Sequence, residues 1–120
     1  MKKKTLVLGV SDNPQRYSYL AVQRLREKGH EVIGIGRHQG TVSDVDIQTE
    51  KIKVEEIDTV TLYLNPAHQK TYYDYILSLK PKRIIFNPGA ENEELHELAL
   101  QNNIQPVEAC TLVLLSTGQY

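Results

Sequence analysis

The sequence of 120 residues has one cysteine, no tryptophan and a net charge of only −1. One cysteine cannot form an internal disulfide, so this is not a disulfide-stapled secreted scaffold. No apolar run approaches the roughly 20 residues of a membrane-spanning helix, and none near the N-terminus suits a signal peptide. A nearly neutral chain also has no broad basic surface for nucleic acid or anionic lipid. We therefore expect a cytoplasmic protein that binds neither nucleic acid nor membranes.

The supply of large hydrophobic residues is also narrow, with one phenylalanine and one methionine beside seven tyrosines. Leucine, isoleucine, valine and tyrosine must therefore form the core. A chain of this length is enough for one hydrophobic core and too short for two. No internal repeat, linker or low-complexity tract interrupts it. We predict a single domain that covers residues 1–120.

The segment 5–37 reads as strand, turn, helix and strand. Thr5–Leu8 is a short apolar run that ends at Gly9 and a polar turn. From Tyr17 onward the apolar residues recur at helical spacing as far as Gly29, a typical helix stop. Val32–Ile35 then follows as a second strand. The turn between Gly9 and the helix is predicted to be anion-binding, because the first N–H groups of a helix lack partners.

The remainder of the chain repeats this alternation. Strands are predicted at Ile57–Leu64, Arg83–Phe86 and Gln105–Glu108. One helix should run from Asn65–Pro66 to Leu79, a second should follow Asn87–Ala90, and Thr111–Leu115 suits a short helix or strand. The segment 38–58 is least regular, and its alternating Val45, Ile47, Ile52 and Val54 suggest short edge strands or a hairpin. Strands that alternate with helices predict an α/β fold, a Rossmann-like three-layer domain with a mainly parallel twisted sheet.

In such a sheet, ligands bind beyond the carboxyl ends of the strands, where the strand order reverses. Loops rich in small and polar residues follow four of the predicted strands: Gly9–Arg16, Gly36–His38, Asn65–Pro66 and Asn87–Gly89. Turns select such residues in any protein, so one loop alone would mean little. Because the fold brings the four loops to one edge, we predict a ligand site there.

The first turn is not a dinucleotide fingerprint, because only Gly9 of the three glycines in G-x-G-x-x-G is present. The end of the second strand is more informative. An acidic residue there favours unphosphorylated NAD, whereas a basic residue suits a phosphorylated ribose. Arg37 occupies this place, which indicates NADP or coenzyme A (CoA), unless it is only a solvated loop arginine.

The motif from Leu8 to Ser18, LGVSDNPQRYS, resembles the G-[AV]-S-x-[NK]-P-x-[RK] opening of the CoA-binding domain family. These are stand-alone relatives of the N-terminal domain of the succinyl-CoA synthetase alpha subunit. The resemblance resumes at GHEVI (29–33), NP (65–66), NPGAENEE (87–94), NI (103–104) and EACTLV (108–113). It therefore extends over nearly the whole chain.

This resemblance implies a domain that binds CoA or an acyl-CoA across the strand ends. Gly9, Ser11 and Arg16 would hold the phosphates, and Arg37 would lie near the adenosine. The full set of implied ligand-binding residues is Gly9, Val10, Ser11, Asn13, Pro14, Arg16, Arg37, Asn65, Pro66, Asn87 and Gly89. Asn13 and Pro14 would shape the turn, while Asn65, Pro66 and Gly89 would line the pocket. The family commonly has Asn–Pro after the second strand, where this chain has Gly36–Arg37, so the adenosine side departs from the pattern.

No Ser–His–Asp or paired-carboxylate arrangement is evident, and the histidines lack metal-ligand spacing, so no catalytic or metal-binding residue is assigned. We expect a ligand-binding protein and not an enzyme. One alternative is an NADP-dependent oxidoreductase, with His68 or a tyrosine as proton donor. Another is a regulatory module with a vestigial nucleotide site, whose tyrosine cluster (Tyr63, Tyr72, Tyr73 and Tyr75) contacts a protein partner or a second copy. Cys110 is expected to be a structural cysteine.

Overall fold

The computed structural model describes residues 2–120, which contain a seven-stranded sheet with helices on both faces. The strands are β1 (Thr5–Leu8), β2 (Val32–Ile35), β3 (Thr41–Val42), β4 (Val45–Gln48), β5 (Thr59–Leu62), β6 (Arg83–Phe86) and β7 (Gln105–Glu108). The helices are α1 (Tyr17–Glu27), α2 (Pro66–Gln69), α3 (Tyr73–Leu79), α4 (Glu93–Gln101) and α5 (Thr111–Ser116), with a 3-10 turn at Lys70–Tyr72.

The strand order is β3-β4-β2-β1-β5-β6-β7, so the chain begins in the middle of the sheet. It moves outward through β2 to the β3–β4 hairpin on one side of β1, then crosses back to β5 and moves outward on the other side. Every strand pair is parallel except the β3–β4 hairpin at the edge. The strand order therefore reverses at β1, between β2 and β5.

Alternate residues of the strands point to opposite faces of the sheet, and each face has its own hydrophobic cluster. On one face Leu6 and Leu8 pack in a cluster that includes Ile76 of α3 and Leu95 of α4. On the other face Val7 belongs to a cluster with Val22 and Leu25 of α1 and Leu115 of α5. The predicted Rossmann-like α/β fold with a mainly parallel sheet is confirmed.

Several element boundaries differ from the prediction. The strand expected at Ile57–Leu64 is shorter, Thr59–Leu62, and the edge hairpin covers residues 41–48, while Ile52 and Val54 lie outside any strand. The helix expected to reach Leu79 without interruption breaks at the 3-10 turn. Gln69 before the break and Ile76 after it are both fully buried. A 3-10 turn has 3.0 residues per turn, fewer than an α-helix, so it rotates the face of the helix that points toward the core. The side chains of Gln69 and Ile76 can therefore both reach the interior.

Candidate functional site

The carboxyl ends of β1, β2 and β5 surround an open cleft of about 450 Å³ at the point of strand-order reversal. Six of the residues that the sequence indicated line this cleft: Gly9, Val10, Ser11, Arg16, Arg37 and Asn65. They come from the loops after three different strands. The fold thus brings together the loops after β1, β2 and β5, as the strand-end rule predicts.

Two glycines allow these loops to approach one another. Gly9 has φ +97°, a conformation that residues with a Cβ rarely adopt, and a Cβ there would lie 2.7 Å from the carbonyl oxygen of Tyr63. A Cβ on Gly36 would overlap the carbonyl oxygen of Val10. The Val10 N–H also donates to the carbonyl of Ile35, at 3.0 Å. The turn after β1 is therefore packed tightly between the ends of β2 and β5.

Short polar side chains hold the turn after β1 in shape. Ser18 Oγ accepts a hydrogen bond from the Ser11 N–H, at 3.1 Å. Ser11 Oγ accepts from the Asn13 N–H at 3.1 Å, and Asn13 Oδ1 accepts from the Gln15 N–H at 3.0 Å. These are Asx-type and Ser-type turns, in which a side chain replaces a backbone acceptor. Asn13 therefore shapes the turn.

The amino terminus of α1 opens into the cleft. Arg16 precedes the helix in an extended conformation, its side chain makes no capping hydrogen bond, and the first turn contains no acidic residue. The first N–H groups of the helix, from Tyr17 onward, have no intrahelical acceptor, and the helix dipole makes this end positive. The exposed side chain of Arg16 adds a full positive charge beside them. An anion is the ligand that this arrangement favours.

Arg37 and His68 meet on the opposite side of the cleft, although 31 residues separate them in sequence. Arg37 Nη2 lies 3.0 Å from Nδ1 and 3.1 Å from Nε2 of the His68 imidazole. Both residues also line an adjoining hollow of about 230 Å³, with Leu64, Ala67 and Tyr72 among its walls. The cleft therefore continues into a mainly apolar slot whose rim carries Arg37.

Buried hydrogen bonds hold α2, and with it His68, in place. The fully buried Gln69 donates from Nε2 to the carbonyls of Leu64 and Ala90, each at 2.8 Å. Gln69 Oε1 accepts from Asn92 Nδ2 at 3.0 Å. These bonds tie α2 to the segments after β5 and β6. The position of His68 is therefore fixed by the core.

The other indicated residues lie outside the cleft. Asn87 is buried: Nδ2 donates to Thr61 Oγ1 (2.7 Å) and the Leu62 carbonyl (2.8 Å), while Oδ1 accepts from the Thr111 N–H (2.9 Å). The exposed Gly89 has φ +91° and no neighbour near its Cβ direction. Asn13 and Pro14 lie on the exposed outer side of the turn. Pro66 begins α2 and lines a separate surface hollow.

Seven cleft residues are outside the predicted ligand-binding set: Asp12, Tyr17, Ser18, His38, Tyr63, Leu64 and His68. The Tyr63 hydroxyl is buried with no hydrogen-bond partner among residues 2–120, and burial raises the pKa of this phenol far above its usual value. Asp12 contributes a carboxylate against the two guanidiniums of Arg16 and Arg37, so the cleft is positively charged overall. No pattern in the sequence pairs His68 with Arg37, because only the fold brings them together.

Within residues 2–120 no group of three or more histidine, cysteine, aspartate or glutamate side chains could hold a metal ion. No helix in this described range is both long and apolar enough to cross a bilayer. Cys110 is half-buried, immediately before α5.

Comparison with known proteins confirms the resemblance that the motifs carry. The family model described as "CoA binding domain" matches residues 3–116, so this chain belongs to the CoA-binding domain family. A search of curated protein sequences finds no match to this chain.

Solved structures share the fold. A crystal structure described as that of an uncharacterized protein is 54% identical, covers 100% of this chain and 99% of its own, and has a TM-score of 0.97. A hypothetical protein from Pyrococcus horikoshii OT3 is 20% identical, with 93% and 80% covered and a TM-score of 0.84. Acetyl-coenzyme A synthetase 1 of Ca. Korarchaeum cryptofilum, in complex with phosphate and ADP, is 13% identical over 90% of this chain and 26% of its own, with a TM-score of 0.72.

Proposed function

We propose that this chain binds CoA or an acyl-CoA in the cleft at the carboxyl ends of β1, β2 and β5. The observation that carries this proposal is the uncapped amino terminus of α1, with Arg16 beside it, at the strand-order reversal. Membership of the CoA-binding domain family supports CoA as the nucleotide. The lone cysteine fits the reducing cytoplasm as the compartment.

The pyrophosphate of the nucleotide would lie against the amino terminus of α1. Backbone N–H groups of the first turn would donate to the phosphate oxygens, as at other phosphate-binding helix termini. Arg16 would add charge-assisted hydrogen bonds, which are stronger than bonds between neutral groups. Gly9 and Ser11 let the backbone approach closely, because neither carries a bulky side chain into the cleft.

The adenosine would extend toward β2. The hollow beside Gly36 is walled by Leu64, Ala67 and Tyr72, which suits the flat faces of the adenine ring. Arg37 stands at the rim of this hollow, next to the place where the ribose would lie. Asn65 lines the cleft on the β5 side, where its Oδ1 accepts from the His68 N–H at 3.0 Å. Pro66, Asn87 and Gly89 would act indirectly, by shaping the loops.

We assign a binding role and no reaction. A nucleophilic serine or cysteine needs a base within hydrogen-bond reach, usually a histidine. In the part of the cleft that residues 2–120 form, Ser11 and Ser18 hydrogen-bond to backbone N–H groups of the turn, not to a histidine. Incubation with acetyl-CoA should therefore release no more free CoA thiol than a blank without protein. Enzyme-dependent release would contradict the binding-only assignment.

A thermal-shift panel with CoA, acetyl-CoA, NADP and NAD tests the choice of nucleotide. We expect CoA and acetyl-CoA to raise the melting temperature in a concentration-dependent manner, because a ligand that binds only the folded state stabilises it by mass action. NAD should have the smallest effect. A shift with NADP alone would favour the oxidoreductase alternative, for which the Arg37–His68 pair would also suit a ribose phosphate. No shift with any nucleotide, together with discrete oligomers in light scattering, would favour a protein-interaction module.

A further inference from the structure

Arg37 and His68 are cleft residues from different loops, held together by contacts of 3.0 and 3.1 Å between Arg37 Nη2 and the imidazole nitrogens. We propose that they form a subsite for a phosphomonoester on the ribose of the bound nucleotide, in which Arg37 binds the phosphate and His68 positions Arg37. This inference rests on the proposed function, because the ribose must lie beside β2. It predicts selectivity between nucleotides that differ only in that phosphate.

The Arg37 guanidinium has unused hydrogen-bonding capacity. A guanidinium carries five N–H donors. Among residues 2–120, the Arg37 guanidinium forms side-chain hydrogen bonds with His68 alone, through Nη2. Across that same range, no aspartate or glutamate oxygen lies within ion-pairing distance of Arg37, whereas Arg26 is paired with Asp44 at 2.8 Å. The planar, forked guanidinium of Arg37 matches the oxygens of a phosphate group. Arg37 is therefore both exposed to the cleft and free to bind an anion.

His68 is placed to restrain that guanidinium. Its backbone N–H donates to Asn65 Oδ1 at 3.0 Å, which caps the start of α2, and the next residue, Gln69, is anchored in the core. Arg37 Nη2 lies almost equally far from both nitrogens of the His68 ring, so the imidazole holds the end of the guanidinium. Holding the long arginine side chain near its bound position reduces the rotamer entropy that ligand binding would otherwise cost. Its role is thus positioning.

A phosphomonoester is the group that gains most from this pair. It carries about −1.5 to −2 charges at neutral pH, because its second pKa is close to 6. CoA has such a group on its ribose and dephospho-CoA does not, and NADP and NAD form a second pair with the same difference. Both pairs share the pyrophosphate that α1 would bind. The ratio of their dissociation constants therefore isolates Arg37 from the rest of the site.

The test is isothermal titration of CoA, dephospho-CoA, NADP and NAD into the full chain and four variants. For the wild type we expect CoA to bind about tenfold or more tightly than dephospho-CoA, the range of one charge-assisted contact. Arg37→Ala should abolish this ratio with little change for dephospho-CoA. His68→Ala should reduce the ratio severalfold, and His68→Gln, which retains an acceptor, should restore it. Arg24→Ala is the matched control, because Arg24 is an exposed arginine on α1 whose ion pair with Glu27 lies outside the cleft.

The outcomes separate this inference from the function on which it rests. Equal affinities of CoA and dephospho-CoA for the wild type, or a ratio that survives Arg37→Ala, would overturn the subsite while leaving CoA binding intact. Failure of every nucleotide to bind would overturn both. Selectivity for NADP over NAD, with no binding of either CoA or dephospho-CoA, would assign the subsite to a 2′-phosphate and remove CoA as the ligand. Because Arg37 and His68 are both exposed, the variants should fold, which unchanged melting temperatures would verify.

Discussion

Gly9 and Tyr63 are packed so closely that a Cβ on Gly9 would lie 2.7 Å from the Tyr63 carbonyl oxygen. This contact joins the loops that follow β1 and β5, which are neighbouring strands at the reversal of strand order. The floor of the cleft is thus backbone packed against backbone. Its shape depends on the absence of a side chain at position 9.

Gly9→Ala should therefore lower the free energy of unfolding by roughly 2–4 kcal/mol, from positive-φ strain together with overpacking. Gly89→Ala is the matched control, because Gly89 has a similar φ of +91° but no atom within 4 Å of the added Cβ. It should lose only the strain, about 1–2 kcal/mol. Urea denaturation of both variants measures the difference. Equal losses would show that the contact with Tyr63 has no energetic weight.

Asn87 joins the loop after β6 to β5 and to the start of α5 through three hydrogen bonds. Asn87→Ala should destabilise the fold by roughly 2–4 kcal/mol, since each buried group left without a partner costs about 1–3 kcal/mol. The exposed Asn102, which bonds only to the Leu98 carbonyl, provides the control, and Asn102→Ala should stay within about 0.5 kcal/mol. Thermal and chemical unfolding would compare them, and similar losses would refute a special role for Asn87.

His30 should make stability depend on pH. Burial, followed by the charges of Lys2 and Lys3, lowers the pKa of His30, and its Nδ1 accepts the Lys3 N–H at 2.9 Å. The unfolded chain, with a histidine pKa near 6.5, therefore binds more protons than the folded chain below that pH. The contribution of His30 to stability is present above about pH 6.5 and is lost as the pH falls from there to the folded-state pKa.

Denaturant titrations between pH 5 and 8 would check this dependence. His30→Asn, whose side-chain oxygen can accept the same N–H, should flatten the slope below pH 6.5. A slope that His30→Asn does not change would mean that another group titrates.

Arg16 tests the phosphate end of the cleft. Arg16→Ala should weaken CoA binding about tenfold or more, because a hydrogen bond to a charged group is worth about 1.5–3 kcal/mol. Arg24→Ala removes another exposed arginine, on α1 itself, and should leave the affinity unchanged. Competition binding with a fluorescent CoA analogue would rank the three proteins. Identical affinities for the two variants would remove Arg16 from the site.

Much of the fold follows from local signals in the sequence. The turn at Gly9, the helix stop at Gly29 and the short apolar strands depend on residues close in sequence, so periodicity and turn chemistry are enough to locate them. The prediction of one continuous helix up to Leu79 was wrong, because a 3-10 turn at Lys70–Tyr72 interrupts it. The cause of this interruption is the burial of Gln69 by partners as distant as Ala90, which no local pattern contains.

Some residues of the site could likewise be located from a local motif, whereas others are brought together only by the fold. Gly9, Ser11 and Arg16 lie in one contiguous motif, and the structure brings them to the cleft. Asn87 and Gly89 also follow a strand, but that strand, β6, is farther from the reversal point, so their loop lies away from the cleft. The contact between Arg37 and His68 requires the crossover to place β5 two strands from β2. The contact between Arg37 and His68 therefore depends on the strand order and not on any local sequence pattern.

Calorimetric titration of the wild-type chain with CoA measures directly whether the cleft binds this nucleotide. We expect saturable heat that fits one CoA per chain, because the cleft presents one helix terminus and one adjoining apolar slot. No saturable heat with millimolar CoA, from protein whose cooperative unfolding shows that it is folded, would contradict this expectation.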